Sequence, residues 1–378
     1  MRIGAGISTA LSAHDAVVEA AREAASALGE RKRDLAFLFL SPAHRGRVAE
    51  AALSLREELS PRHVAGCVAQ GVLGRRREVE TGPGVAVWVA SLPGASVQVS
   101  HLGGAGELPD LEGAALCVLL VDPFSFPVSA VLDEVNERYP GLPLVGGIAA
   151  GAGRPGTQAL IVGEDLYEGG AVAVILSGVD VATVVSQGCA PFGREAVITR
   201  AEENIVYELA LQPAFERLRD EIAKLPPEKR RLAAAGVLAG LVIDENKAEY
   251  GRGDFLMRGI IGADEASGAL AVGERVRVGQ TLRFHYRDAA SADEDLRQAL
   301  RREVEEGSAA GALVFTCNGR GTHMFGEPDH DARVVAETLG CDALAGFFCG
   351  GEIGPVGDRV FLHGFTATLA VFRGQVLH

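Results

Sequence analysis

The chain runs to 378 residues and carries a formal net charge of −14. A composition that is 48% hydrophobic and 23% charged excludes intrinsic disorder and suits two packed domains, while the acidic balance excludes a nucleic-acid surface, which needs a basic footprint. Six cysteines stand at 67, 117, 189, 317, 341 and 349 with no Cys-x-x-Cys pair, a spacing that suits reduced thiols in a cytoplasmic protein better than a zinc site or a disulfide framework.

The first residues, MRIGAGIST, lack the apolar core of a signal peptide. No window of about 20 residues is apolar enough to predict a membrane-spanning helix. Ser12 is placed to cap a helix that begins near Ala13. Residues 35–41 (LAFLFLS) read as a buried strand, and 47–59 as a helix with Val48, Ala52, Leu55 and Leu59 on one face. A glycine-bearing turn follows at 64–71. Strands at 85–90 and 96–101 flank Leu92-Pro93-Gly94-Ala95, a hairpin signal.

The same order then returns. Residues 116–121 (LCVLLV) read as a strand, 128–139 as a helix, and 144–151 as a second glycine-bearing turn. Segments 159–162, 171–177 and 181–186 read as a meander. Residues 202–225 read as a long helix that Pro226-Pro227 ends, since proline cannot continue a helix. That boundary divides the chain into domains 1–225 and 226–378, with 188–193 an earlier alternative. Segments 269–272, 275–278 and 281–286 form another expected meander. A third unit follows: strand 312–317, helix 331–339 and turn 344–351, with a final strand at 360–372.

Aligning the three turns pairs Gly66 with Gly146 and Gly346, and Gly71 with Gly151 and Gly351. Such units predict a mixed α/β (α+β) fold in which repeated β-α-β-β units form mixed sheets flanked by helices, stacked as an αββα-type sandwich. The alignment also singles out Glu352. Its counterparts are Val72 and Ala152, both apolar, and a carboxylate at an apolar position needs a partner or solvent. Cys349 stands where the other copies have Ala69 and Ala149, so it reads equally as a small buried residue.

The loop Cys317-Asn318-Gly319-Arg320-Gly321 follows the third unit's strand, at the end where α/β sheets bind ligands. Asn318 both donates and accepts, and Arg320 forks onto a carboxylate or phosphate; an ordinary Asn-Gly surface turn is the alternative. Arg258 shares a strand face with Asp254 and Leu256, either to read a ligand's charged ends or as an edge ion pair. Cys349, His363 and Asn318 compose a Cys-His-Asn set if they meet in space; a hydrogen-bonded core histidine is the alternative. No phosphate-binding loop and no recognisable metal spacing occurs.

Several of these stretches carry a resemblance. CNGRG at 317–321, FG at 325–326, GFFCGGEIGPVG at 346–357 and FLHGFTATLAVF at 361–372 resemble the C-terminal half of the FIST family. So do RGDFLMRGIIG at 252–262 and VGQTLRFHYRDA at 278–289. GCVAQGVLG at 66–74, REVE at 77–80, GGIAAG at 146–151, and VVSQGCAPFG at 184–193 with Ile198-Thr199 are similar to its N-terminal half. The resemblance covers the chain from about residue 30 onward. It implies paired FIST N and FIST C domains acting as an intracellular sensory or signal-transduction module that binds small ligands such as amino acids. Some members resemble haem-binding nitric oxide sensors, and others carry an F-box.

With no kinase, methyl-accepting, cyclase or F-box segment, the expected output goes through a separate signalling partner, with no nucleic acid or membrane involved. The leading expectation is a ligand-binding sensor, with Asn318, Arg320, Gly350, Gly351, Glu352 and Arg258 as ligand contacts and the glycine amides touching the ligand. A cysteine-dependent enzyme using Cys349 and His363, haem binding through a histidine or cysteine, and a pure scaffold are the rivals.

Overall fold

The computed structural model describes residues 1–151 and 153–374. The chain divides into two compact units. One comprises Met1–Ser186, Leu296–Leu362 and the segment from Thr366; the other comprises Gln187–Asp295 with His363–Phe365.

The first unit is built from the three repeats. Each owns a six-stranded mixed sheet of the same topology. Strands Leu35–Leu40, Leu116–Val121 and Ala309–Cys317 each cross over, through helices Val48–Leu59, Val128–Arg138 and His330–Leu339, to a parallel partner: His63–Val68, Leu144–Ile148 and Leu344–Cys349. A closing strand (Val85–Ser91, Ala171–Ser177 or Thr366–Arg373) lies antiparallel on the other side. Beyond it sits an opening strand, Arg2–Ser8, Ser96–Leu102 or Val181–Gln187.

The fifth and sixth places in each sheet are filled by a neighbour's hairpin. The first repeat lends Val72–Gly74 and Arg77–Val79 to the third sheet. The second lends Leu160–Val162 and Asp165–Tyr167 to the first. The third lends Glu352–Val356 and Arg359–His363 to the second. The exchange closes into a cycle. Equivalent hydrogen bonds join the turns: Phe348 N to Gly71 O at 3.0 Å, Ile148 N to Gly351 O at 2.8 Å, and Val68 N to Ala159 O at 2.9 Å.

The shared glycines have a steric reason. Gly66, Gly146 and Gly346 register with Leu38, Leu119 and Val314 on the parallel neighbour. A Cβ at any of them would come closer than 3.0 Å to that residue's carbonyl oxygen. Only glycine allows such backbone approach.

Inner faces of all three sheets form one core, with Phe37, Phe39 and Trp88 from the first, Val118 and Leu120 from the second, and Phe315, Phe347 and Phe372 from the third. Ring pairs Phe39–Phe347 and Trp88–Phe372, at 5.4 Å and 5.2 Å between centroids, cross from sheet to sheet. Outer faces are covered by helices: Val17, Ala20 and Leu55 pack with Leu38 and Val87, and Leu300, Val335 and Leu339 with Val314 and Leu369. Ser12 caps helix Ala13–Ser26 by accepting from Asp15 N at 3.3 Å.

The second unit contains six antiparallel strands that close on themselves in the order Cys189–Glu202, Thr281–Arg287, Val237–Val242, Phe255–Asp264, Ala269–Val272 and Ile205–Leu209, which returns to Cys189–Glu202. Closure leaves no long edge to aggregate. Phe192, Leu241, Phe284 and Tyr286 fill its core, with Leu218 of helix Ala214–Ala223 packed against them.

Several expectations need correction. Strands Val85–Ser91 and Ser96–Leu102 are not a hairpin, because the chain passes from the first sheet to the second at 92–95. The strands at 160–162, 171–177 and 181–187 are not a meander; they belong to three different sheets. In the second unit Ala269–Val272 and Thr281–Arg287 are not paired, and no strand forms at 275–278. The long helix at 202–225 is a strand end, the strand Ile205–Leu209 and a helix only from Ala214 to Ala223. Pro227 opens helix Pro227–Ala235 instead of ending one, since its missing N–H costs nothing in the first turn.

Candidate functional site

The third repeat brings its two parallel strands to an end side by side, with Cys317 in register with Cys349. Asn318 N donates to Cys349 O at 2.8 Å, so the Cys317–Gly321 loop and the Gly350–Glu352 turn are tied together. This is the carboxyl end of a parallel strand pair, the place where such sheets collect ligands.

Arg320 is only 1% exposed. Its Nε and Nη2 donate to Asp331 Oδ2 and Oδ1 at 2.7 Å and 2.9 Å, a bidentate fork. Thr316 Oγ1 donates to Asp331 Oδ2 at 2.6 Å, and His330 Nδ1 lies 3.0 Å from Oδ1. His330 stacks on Phe325 with centroids 3.4 Å apart. Burial pushes the Asp331 carboxyl upward, but the Arg320 charge and the bonds from His330, Arg320 and Thr316 outweigh it and hold the group well below the usual carboxylate range. The result is a buried, ionised and internally neutral pair.

Glu352 opens the strand Glu352–Val356 and is fully buried. Its Oε2 accepts from Thr366 N at 3.1 Å and Thr366 Oγ1 at 2.8 Å. Burial pushes the carboxyl up to about 8, against those bonds, a side-chain hydrogen bond with Cys317 and the Arg320 charge. That shift favours the protonated form of Glu352 near neutral pH. Register places Val72, Leu160 and Glu352 at equivalent positions, opposite Phe347, Cys67 and Gly147. Ala152, the counterpart expected from the sequence, lies outside the described residues; Leu160 takes its place and is apolar too.

Two further carboxylates come from the first repeat's lent hairpin and the residue that follows it. Glu80 Oε1 accepts from Thr322 N at 2.8 Å and from Thr322 Oγ1 at 2.5 Å. Glu78 Oε1 accepts from Ala332 N at 2.8 Å, and Glu78 N donates to Asp329 Oδ1 at 2.6 Å. Burial, then the neighbouring Asp331 charge, pushes Glu78 up to about 8. The sequence reading missed Glu78, Glu80, Thr316, His330, Asp331 and Thr366. REVE at 77–80 was the available signal, but only the hairpin exchange carries it to the third repeat.

Four solvent-shielded side-chain atoms here have no hydrogen-bond partner: Arg320 Nη1, Glu352 Oε1, Asn318 Oδ1 and Glu78 Oε2. The remaining candidates are placed differently. Gly350 N donates to Ile148 O at 2.9 Å, and Gly351 O accepts from Ile148 N. The Gly350 amide is thus spent on the second repeat's turn, which corrects the expectation of a ligand touching it. Arg258 belongs to the second unit, where its Nη2 meets Glu274 Oε2 at 2.8 Å. His363 also falls in the second unit, and Cys349 in the first.

Burial first, then the negative neighbours, pushes the Cys349 thiol well above its ordinary value, the reverse of what a nucleophile needs. A Cβ on Gly147 would come closer than 3.0 Å to Cys349 Sγ. A sulfur so tightly walled by backbone does not fit the axial position of a haem. Among the described residues no group of three or more His, Cys, Asp and Glu is arranged to hold a metal ion, and no helix is long and apolar enough to cross a membrane. A groove of about 680 Å³ opens at the amino ends of the strands, lined by Arg2, Arg31, Ser91, Ala310 and Asp342 among others.

The model of the FIST N domain matches residues 34–211, and that of the FIST C domain matches 214–355. The chain belongs to the FIST family. The first two repeats lie mainly in the FIST N match and the third in the FIST C match, so Glu78 and Glu80 reach from one into the other. An uncharacterized protein of Mycobacterium tuberculosis (strain CDC 1551 / Oshkosh) is 42% identical over 383 residues, covering 98% of this chain and 100% of the relative. One from Mycobacterium bovis (strain ATCC BAA-935 / AF2122/97) is 42% identical over 381 residues, covering 98% and 99%. A solved structure of cyanuic acid hydrolase from A. caulinodans aligns over 99% of this chain and 100% of that one, with a TM-score of 0.29 and 13% identity, too low to argue from.

Proposed function

We propose that this FIST protein is a sensor of a small polar metabolite, held at the carboxyl ends of the third repeat's parallel strands, and that it signals through a separate protein partner. The observation that supports the reading is Glu352, a fully buried carboxyl at a position that is apolar in the other two repeats. It sits with Arg320 and Asn318 among side-chain atoms that lack partners. Buried polar groups without partners are costly and uncommon in folded chains. Their grouping at one strand end supports a site that water or a ligand completes.

The family resemblance makes amino acids and related metabolites the first class to screen. In that version an ammonium would meet Glu352 in its ionised form and a carboxylate would meet Arg320. Thermal-shift screening of several hundred metabolites, followed by calorimetric titration of hits, tests the proposal. A hit should bind wild type and lose at least about tenfold in affinity on Glu352→Ala, the scale of a lost hydrogen bond to a buried charged or strongly polar group. Hits whose affinity ignores Glu352 would place the ligand elsewhere.

A further inference from the structure

We infer that the ligand of this site is a small neutral molecule presenting a C=O acceptor beside an N–H donor, the hydrogen-bonding edge of an amide or ureide. The inference rests on the sensor reading and narrows it. Three of the unpartnered atoms lie on the loop and turn that Asn318 N and Cys349 O tie together: Arg320 Nη1, Glu352 Oε1 and Asn318 Oδ1. Asn318 and Gly319 are half-buried and Gly350 is exposed, so this end of the site reaches the surface.

The donor and acceptor roles follow from the bonds already made. Arg320 Nη1 is a donor by chemistry. Glu352 Oε2 already accepts twice from Thr366, so the proton of the neutral acid belongs on Oε1, which becomes a second donor. Asn318 Oδ1 is the acceptor. A ligand oxygen with two lone pairs satisfies the two donors, and an adjacent N–H satisfies Asn318.

Charge selects against the alternatives. The Arg320 charge is cancelled by the bidentate Asp331, and burial favours the uncharged form of Glu352. The site is neutral overall, and an ion brought into it would be desolvated without a counter-charge. A zwitterionic amino acid would need Glu352 ionised.

Calorimetry and thermal shift on the full chain decide the matter with two probe sets: acetamide, hydantoin and uracil against glycine and alanine. Glu352→Gln is neutral at every pH and isosteric, so it imitates the acid form. Asn318→Ala removes the acceptor from a half-buried position and leaves folding intact. The expected result is that at least one neutral probe binds wild type and Glu352→Gln within about threefold of each other, and about tenfold more weakly to Asn318→Ala.

Binding by glycine or alanine that Glu352→Gln abolishes would overturn the neutral-ligand inference and leave the sensor site standing. If neither set binds, the neutral-ligand inference fails; if every screened ligand also binds Asn318→Ala and Glu352→Gln as tightly as wild type, the sensor site fails with it. Ordered water alone on these atoms in a structure soaked with the probes would also overturn it.

Discussion

Burial raises two carboxyls, Glu352 and Glu78, to about 8 in the folded chain, against about 4.3 for a free glutamate. Between those values the folded chain holds protons that the unfolded chain has released. Their contribution to stability is therefore complete below about pH 4.3 and is lost as pH rises toward 8, by about 1.4 kcal/mol per pH unit and group. Glu352→Gln should remove one group's share of that slope, read by urea denaturation on either side of neutrality. An unchanged slope would mean that native Glu352 is ionised. Asp331 works in the opposite direction, contributing stability above its unfolded pKa that is lost as pH falls through its depressed folded value. Arg320→Met strips Asp331 of its bidentate partner and should cost about 3–5 kcal/mol. Removing the exposed Arg22–Glu58 pair, which solvent screens, should leave the urea midpoint at its wild-type value.

Elements explain what the sequence disclosed and what it withheld. The three turns were legible because one physical constraint, backbone against backbone at Gly66, Gly146 and Gly346, leaves one residue type in its wake. Gly346→Ala should destabilise by about 3 kcal/mol or more or prevent folding. Gly46→Ala, where a Cβ meets nothing within 4 Å, should unfold at the wild-type urea midpoint. The strands that change sheet were not legible, since a hairpin lent to a neighbour has the same local pattern as one kept. Glu352 could be found from the repeat alignment. Glu80 could not, because its partner Thr322 lies 242 residues away. Glu80→Ala should speed amide exchange at Thr322 and in the short helix Thr322–Phe325 while leaving the central strands protected.

At the scale of the molecule, the cyclic hairpin exchange sets the first unit apart from an open repeat array. In a solenoid each repeat leans only on its neighbours and the ends can fray. Here every sheet needs a strand pair from another repeat, and the cycle has no end. The first unit should therefore unfold in one cooperative step. A fragment spanning residues 1–177, which lacks the third repeat, should show no cooperative transition by circular dichroism; a sharp one would break the account. The central claim is that ligand is held at the third repeat's strand ends. Hydrogen exchange with and without a stabilising metabolite tests it most directly. The account predicts added protection at residues 316–326 and 350–356. Protection instead at Arg2, Arg31 and Gly340–Ala343, around the groove at the amino ends of the strands, would contradict it.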